Sequence, residues 1–176
     1  MVLFETERMT VRRFTTEDAE AFFLVNGNPE VVKFIRPAKS RADSDAFLQE
    51  NLNFYKEGSC LGRFAVLEKQ TQQFLGSFSF LYLSGDADFH LGYALLPEAW
   101  GKGYATELVA TGINYFFAHT DHLAIFAITQ CENKASRNVL IKSGFLEKGQ
   151  VEEYNKTLDL FYIIRGMQPD AHIETE

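Results

Sequence analysis

The chain has 176 residues, of which 46% are apolar and 23% charged, and this length and composition suit one ordered domain. With 24 acidic against 17 basic residues, its formal charge is −7, so it lacks the basic surface that a general nucleic-acid binder needs. Its two cysteines cannot build a disulfide framework, and no segment reaches the ~18 apolar residues of a membrane span. We therefore expect a soluble protein of the reducing cytoplasm, with a single domain at 1–167 and a frayed polar tail at 168–176.

The first half of the sequence predicts one strand, two helices and a meander of three strands. The strand is expected at 9–14, and Thr16 is expected to cap the first helix, which ends near 26–29. The second helix is expected at 44–56, ending at Gly58. Strands at 63–69, 74–83 and 87–96 follow, joined by short turns at 70–73 and 84–86, which favours antiparallel pairing.

The second half predicts alternating helices and strands. A long helix is expected at 103–119, where Gly112 in the interior indicates close packing. A continuous apolar strand at 123–129, a helix at 133–143 closed by Gly144, and strands at 145–151 and 158–165 follow. The order is βααβββαβαββ, and its strand–helix–strand step predicts one parallel pair in an otherwise antiparallel sheet.

The loop between the third meander strand and the long helix carries the strongest chemical signal. Gly101 and Gly103 allow positive φ angles and close approach of a ligand to the backbone. The first amides of a helix lack intrahelical acceptors and lie at the positive end of its dipole, which suits a phosphate or pyrophosphate. The loop fits neither the Walker nor the dinucleotide-binding pattern. A bare G-x-G, taken without its context, is more often a simple tight turn between a strand and a helix.

Three segments together resemble the GNAT superfamily of N-acetyltransferases, specifically the branch that contains the bacterial ribosomal-protein N-terminal acetyltransferases. PEAWGKGYATE resembles the acetyl-CoA loop Q/R-x-x-G-x-G/A, with Trp100 in place of the usual Gln or Arg. ETERMTVRRFTTEDAEAFF resembles the opening strand and helix of this branch, and CENKASRNVLIKSGFLEKG its later N-x-x-S signature. The resemblance covers nearly the whole chain.

The resemblance implies an α+β fold, with a mixed, mostly antiparallel, splayed central sheet flanked by about four helices. Acetyl-CoA would lie where the strands at 87–96 and 123–129 diverge, and no metal is implied. Pantetheine would pair with the strand edge and pyrophosphate would bind the loop amides. The implied cofactor-binding residues are Leu95, Leu96, Trp100, Gly101, Lys102, Gly103, Tyr104, Ala105, Thr106 and Asn133.

Acetylation of an amine by a thioester needs a neutral nitrogen and a stabilised leaving thiolate. The resemblance implies Ser136 as the donor to the thiolate, three residues after the expected helix cap Asn133. Many family members use a tyrosine acid instead, but that position is Leu140 here. Glu153 is the candidate base, and Glu152, His90 and water remain alternatives. Tyr93 could also face the cleft.

A covalent mechanism through a cysteine is not expected. Cys131 precedes the cap Asn133, but direct transfer needs no enzyme nucleophile. The expected activity is therefore acetyl transfer from acetyl-CoA to a primary amine by direct attack in a ternary complex. The amine is expected to be a protein N-terminal α-amine or a small molecule.

The partner class remains open in several respects. Family analogy assigns residues 34–54 to the acceptor side. Residues 151–176 carry six acids and two bases, which favours a cationic amine, although a solvated surface explains them equally well. A non-catalytic acyl-CoA-binding or sensory domain and a nucleotide-phosphate binder are the rival functions. We expect no membrane or nucleic-acid partner, and either a monomer or a homodimer.

Overall fold

The described residues of this computed structural model, 1–83 and 88–167, form one sheet of eight strands in the order β1-β2-β3-β4-β5-β6-β8-β7. Neighbouring strands are antiparallel except β5 and β6, which are parallel. The strands are β1 Val2–Glu5, β2 Met9–Arg13, β3 Gly62–Glu68, β4 Phe74–Tyr82, β5 Phe89–Leu95, β6 Ala124–Thr129, β7 Leu146–Glu153 and β8 Lys156–Ile164.

Five α-helices cover the two faces of the sheet in the described part of the chain. They are α1 Ala19–Asn26, α2 Pro29–Val32, α3 Arg41–Phe54, α4 Tyr104–His119 and α5 Lys134–Lys142. Neighbouring side chains of β3 contact helices on opposite faces of the sheet. Ala65 packs with residues of α1 and α3, whereas Phe64 packs with residues of α4 and α5. The alternation of neighbouring residues along a strand thus gives the sheet two different faces. Within the described ranges, no helix is long and apolar enough to cross a membrane.

The predicted mixed α+β fold is confirmed, and the element boundaries differ at several points. The prediction missed β1 and the short helix α2. Thr16 does not cap the first helix, because Thr15 precedes a turn of 3-10 helix and donates its amide to the carboxylate of Asp18 at 2.7 Å. The helix α3 begins earlier than expected, after its cap Ser40. The expected turn at 84–86, the start of the next strand at 87 and the expected tail at 168–176 lie outside the described residues.

The α4 face of the sheet is an aromatic core. Phe78 makes edge-to-face contacts with Phe4 and Phe80, at centroid distances of 5.4 and 4.8 Å. A Cβ on Gly112 of α4 would lie 2.6 Å from the Phe78 ring, so the helix packs directly on it. The close packing predicted for this glycine is therefore confirmed.

The parallel strands β5 and β6 join only near their beginnings. Their register contains one pair, His90 with Phe126, whereas β6 and β8 pair continuously from Ala124–Ile164 to Thr129–Asp159. The two strands separate toward their carboxyl ends, as the predicted splay requires. The gap between them, which we call the split, leads from the His90–Phe126 pair toward Leu95 and the loop that follows it.

Candidate active site

The loop after β5 presents a row of open amides. Gly101 and Gly103 have φ angles of 69° and 78°, a left-handed conformation that a side chain disfavours. A Cβ on Gly101 would meet nothing within 4 Å, so this backbone is open to a ligand. No hydrogen bond recorded in the described ranges occupies the amides of residues 101–106. They lie at the amino end of the 16-residue helix α4, where an anion is favoured.

Arg8 braces this loop from the β1–β2 turn. Its Nε lies 2.6 Å from Oε2 of Glu107, and its Nη1 donates to the carbonyl of Lys102 at 2.9 Å. Burial opposes ionisation of Glu107, but hydrogen bonds from Thr6 and Arg8 hold the pKa of this carboxyl below its ordinary value. The acid in the first turn of α4 is therefore neutralised by a partner. Arg8 was not among the predicted site residues, since only the fold brings it to this loop.

The two residues expected to pair with pantetheine differ in their backbone contacts. The amide of Leu96 donates to the carbonyl of Leu75 at 2.8 Å, so it belongs to the sheet and points away from the split. The carbonyl of Leu95 accepts from Nε1 of Trp100 at 2.7 Å. Since neighbouring residues of a strand point their backbone groups in opposite directions, the Leu95 carbonyl faces the split. Trp100, itself 45% exposed, covers it.

Ser136 lies on the α5 side of the split with a phenol beside it. Asn133 caps α5 as predicted, and its Oδ1 accepts from the amide of Ser136 at 3.2 Å. The hydroxyl of Tyr93 donates to Oγ of Ser136 over 3.5 Å, the long limit for such a bond. Burial raises the pKa of Tyr93, so the phenol keeps its proton at neutral pH. This contact was not predicted.

The candidate bases lie on the opposite face of the sheet. His90 and Tyr93 are three positions apart on β5, so their side chains point to opposite faces. His90 is 6% exposed and Glu153, at the end of β7, is 7% exposed. Glu152 is exposed instead, and its carboxylate accepts from the hydroxyl of Thr157. The structure therefore brings Glu153, and not Glu152, to the buried face.

His90 is neutral in this environment. Burial lowers the pKa of His90 to about 4, and the charge of Arg63 adds to this shift, while the Leu91 backbone and the charge of Glu153 oppose it. Neither ring nitrogen has a hydrogen-bond partner of good geometry in the described part of the chain. A carboxylate and a neutral imidazole thus lie within electrostatic range of each other on this face.

Cys131 is exposed. A hydrogen bond with Glu132 raises the pKa of its thiol, which disfavours the nucleophilic thiolate. Among residues 1–83 and 88–167, no three His, Cys, Asp or Glu side chains gather as metal ligands would.

Comparison with known proteins agrees with this geometry. Residues 8–146 match the family described as "Acetyltransferase (GNAT) domain". The chain is 31% identical over 156 residues to an uncharacterized N-acetyltransferase, p20, of Bacillus licheniformis, covering 86% of both chains. It is 26% identical over 160 residues to the ribosomal protein uS5 alanine N-acetyltransferase of Escherichia coli, covering 85% of this chain and 80% of that one.

A solved structure with the same fold is that of spermidine N-acetyltransferase from Vibrio cholerae in complex with CoA and spermine. It superposes with a TM-score of 0.75 at 20% identity, covering 91% of this chain and 97% of that one. At this identity the likeness concerns the fold.

Proposed function

Since the chain belongs to the GNAT family of acetyltransferases, we propose that it transfers acetyl from acetyl-CoA to a primary amine by direct attack in a ternary complex. The acceptor is a protein N-terminal α-amine or a small-molecule amine. The relatives are named for both kinds of acceptor, an alanine of a ribosomal protein and spermidine.

The observation that carries this proposal is the split between β5 and β6. One strand pair closes it at His90 and Phe126, and its open end leads to the free amides of residues 101–106. A pyrophosphate on these amides and on Lys102 would leave the pantetheine arm running along β5 into the split. The Leu95 carbonyl is then the backbone group that accepts from a pantetheine amide, once the indole of Trp100 gives way.

Residues on the two sides of the split have different roles in the proposed reaction. The neutral acceptor nitrogen attacks the thioester carbon, forming the C–N bond as the C–S bond breaks. Ser136 donates to the departing sulfur, and the phenol of Tyr93 supports the Ser136 hydroxyl. Glu153 takes the proton that the acceptor nitrogen loses. Its burial at the end of β7 and its proximity to His90 support this role.

The decisive experiment measures CoA release over a panel of amines at saturating acetyl-CoA. We expect release with at least one amine, and losses in kcat of about 10²-fold for Glu153→Gln and somewhat less for Ser136→Ala. Glu152→Gln is the matched control, because this neighbouring carboxylate is exposed and bonded to Thr157. It should retain wild-type kcat.

Two results would contradict the proposal in different ways. Acetyl-CoA binding without release for any amine would indicate the non-catalytic acyl-CoA-binding domain. Equal losses for Glu152→Gln and Glu153→Gln would overturn the assignment of Glu153 as the base while leaving the transfer reaction in place.

A further inference from the structure

Three cationic side chains gather around one aromatic ring on the acceptor side of the sheet. The guanidinium of Arg63 lies 4.5 Å from the ring centroid of Phe47, that of Arg36 lies 5.2 Å away, and Nζ of Lys39 lies 4.7 Å away. Arg63 projects from β3, whereas the other three belong to α3 and the segment before it. We call these four residues the arginine cluster.

No salt bridge among the described residues neutralises the arginine cluster, although the charge of Glu50 acts on Arg63. Within the described ranges, neither Arg36 nor Arg63 forms a salt bridge, and Nε of Arg36 is buried without a hydrogen-bond partner. Arg36 donates to the neutral side-chain oxygen of Asn26. Burial, reinforced by repulsion from Arg63, lowers the pKa of Arg36 to about 10, so the guanidinium of Arg36 remains charged at neutral pH. Like charges held together at half-buried positions without a salt-bridge partner favour an incoming anion.

The arginine cluster shares a face with the candidate base. Arg63 pairs in register with Ser79, and Ser79 with Gly92, so this row crosses β3, β4 and β5 over about 10 Å. His90 follows on the same face of β5, two residues from Gly92, and the charge of Arg63 reaches it. The arginine cluster therefore lies on the same face as the groups that would receive the proton of the acceptor, two strands away from them.

Two segments near the arginine cluster have a defined backbone position, namely the segment that carries Arg36 and the β7–β8 hairpin. Nε2 of Gln130, just after β6, donates to the carbonyl of Phe34 at 2.9 Å and fixes the segment that carries Arg36. At the β7–β8 hairpin, Tyr154 and Asn155 have φ angles of 52° and 57°. They are the two central residues of the turn between Glu153 and Lys156, and a two-residue hairpin turn of this kind requires positive φ at both positions. Tyr154 is 63% exposed and lies within electrostatic range of both arginines.

We propose that the arginine cluster binds a carboxylate of the acceptor, so that the preferred substrate is an amine that also carries a carboxylate. This inference rests on the proposed transfer reaction and names its substrate class. Two guanidinium groups suit a carboxylate through charge-assisted hydrogen bonds. A polyamine would meet repulsion at the same place.

The arginine cluster also changes the partner expected from the acidic segment at 151–176. Three of its six acids lie in the described range and bear on this point. Asp159 is bonded to Arg137 at 3.1 Å, Glu152 faces outward, and Glu153 is buried near His90. The cationic charge of the arginine cluster therefore dominates the acceptor side, and the expected cationic partner gives way to an amine that also bears an anion.

The test compares three acceptors that differ in where a carboxylate lies. Glutamic acid α-amide carries it on the side chain, as an acidic peptide N-terminus does, free glutamine carries it on Cα, and glutamine α-amide has none. We expect kcat/KM for one of the first two to exceed that of glutamine α-amide by about 10-fold or more, after correction for the fraction of neutral amine. The preferred member identifies the source of the carboxylate.

Variants of the arginines test whether they cause the preference for a carboxylate-bearing amine, measured as its kcat/KM relative to that of glutamine α-amide. Arg63→Gln and Arg36→Gln should each reduce the ratio toward one, mainly through KM, and Arg63→Lys should restore part of it. Arg41→Gln removes an equivalent charge from the exposed start of α3 and should keep the wild-type ratio. Thermal unfolding of each variant separates a loss of fold from a loss of selectivity.

The outcomes for the inference and for the proposed function are distinct. Turnover of glutamine α-amide or spermidine as fast as of either carboxylate-bearing amine would overturn the arginine cluster as a carboxylate site while leaving the transferase intact. If no amine is acetylated, calorimetry with N-acetylglutamic acid α-amide, free N-acetylglutamine and N-acetylglutamine α-amide decides the point. Tighter binding of either carboxylate-bearing compound, lost in Arg63→Gln, supports the inference, and equal binding of all three overturns it.

Discussion

The two faces of the central sheet are built from alternating residues of the same strands, yet one face is apolar and the other carries ionisable groups. On the α4 face, Phe78, Phe80 and Gly112 form an interior without charges. On the other face, Arg63, His90 and Glu153 place ionisable groups in or near the interior. Apolar burial stabilises the fold, whereas burial of ionisable groups costs free energy. The molecule thus separates the residues that hold it together from those available for chemistry.

The largest expected effect is on the α4 face. Phe78→Ala should lower the free energy of unfolding by about 3–5 kcal/mol, because Phe78 is fully buried and its loss leaves a cavity against Gly112. Urea unfolding measures this, and Leu146→Ala, at an exposed position of β7, is the control. A loss below about 1 kcal/mol would show that this face is not the stabilising one.

A smaller effect, dependent on pH, is expected on the other face. The unfolded chain protonates His90 near pH 6.5 but the folded chain only near pH 4, so stability is lost as pH falls through this window. Between pH 7 and pH 5 the loss through His90 is about 2 kcal/mol. His90→Gln should remove this part of the pH dependence of urea unfolding. Identical slopes for both proteins would show that His90 carries no such cost, and the contrast between the faces would weaken.

The smallest stability effect is expected at the loop, where binding provides the sharper readout. Gly101→Ala and Gly166→Ala both place a Cβ at positive φ with nothing within 4 Å, so each should cost about 1 kcal/mol of stability. Calorimetry should show CoA binding weakened about 10-fold or more by Gly101→Ala and unchanged by Gly166→Ala. Equal affinities for the two variants would place the pyrophosphate away from these amides.

Most of the fold follows from local sequence patterns. The alternation along β5, the helical period after Pro97 and the glycine at the end of α5 each depend on nearby residues, and these elements were predicted. β1 was missed because its four residues offer too short a pattern. Thr15 and Thr16 are equally good caps in sequence, and only the contact with Asp18 decides between them.

The parts of the candidate site that depend on residues close together in sequence could be predicted. The glycines of the loop and the cap Asn133 could be identified because their function depends on residues a few positions away. The arginine cluster could not be, since it joins β3 to a segment that precedes it by more than twenty residues. The contact of Tyr93 with Ser136 joins residues 43 positions apart and depends on how β5 and α5 pack.

A sheet that opens in its middle has two strand edges where an intact sheet has none, and exposed edges recruit strands from other chains. The indole of Trp100 covers one carbonyl of such an edge at Leu95. A bound CoA thioester would cover more of it, and at 100 times its Kd a ligand adds about 2.7 kcal/mol to the stability of the folded chain. Protein purified without CoA should therefore aggregate more readily than protein kept saturated with it.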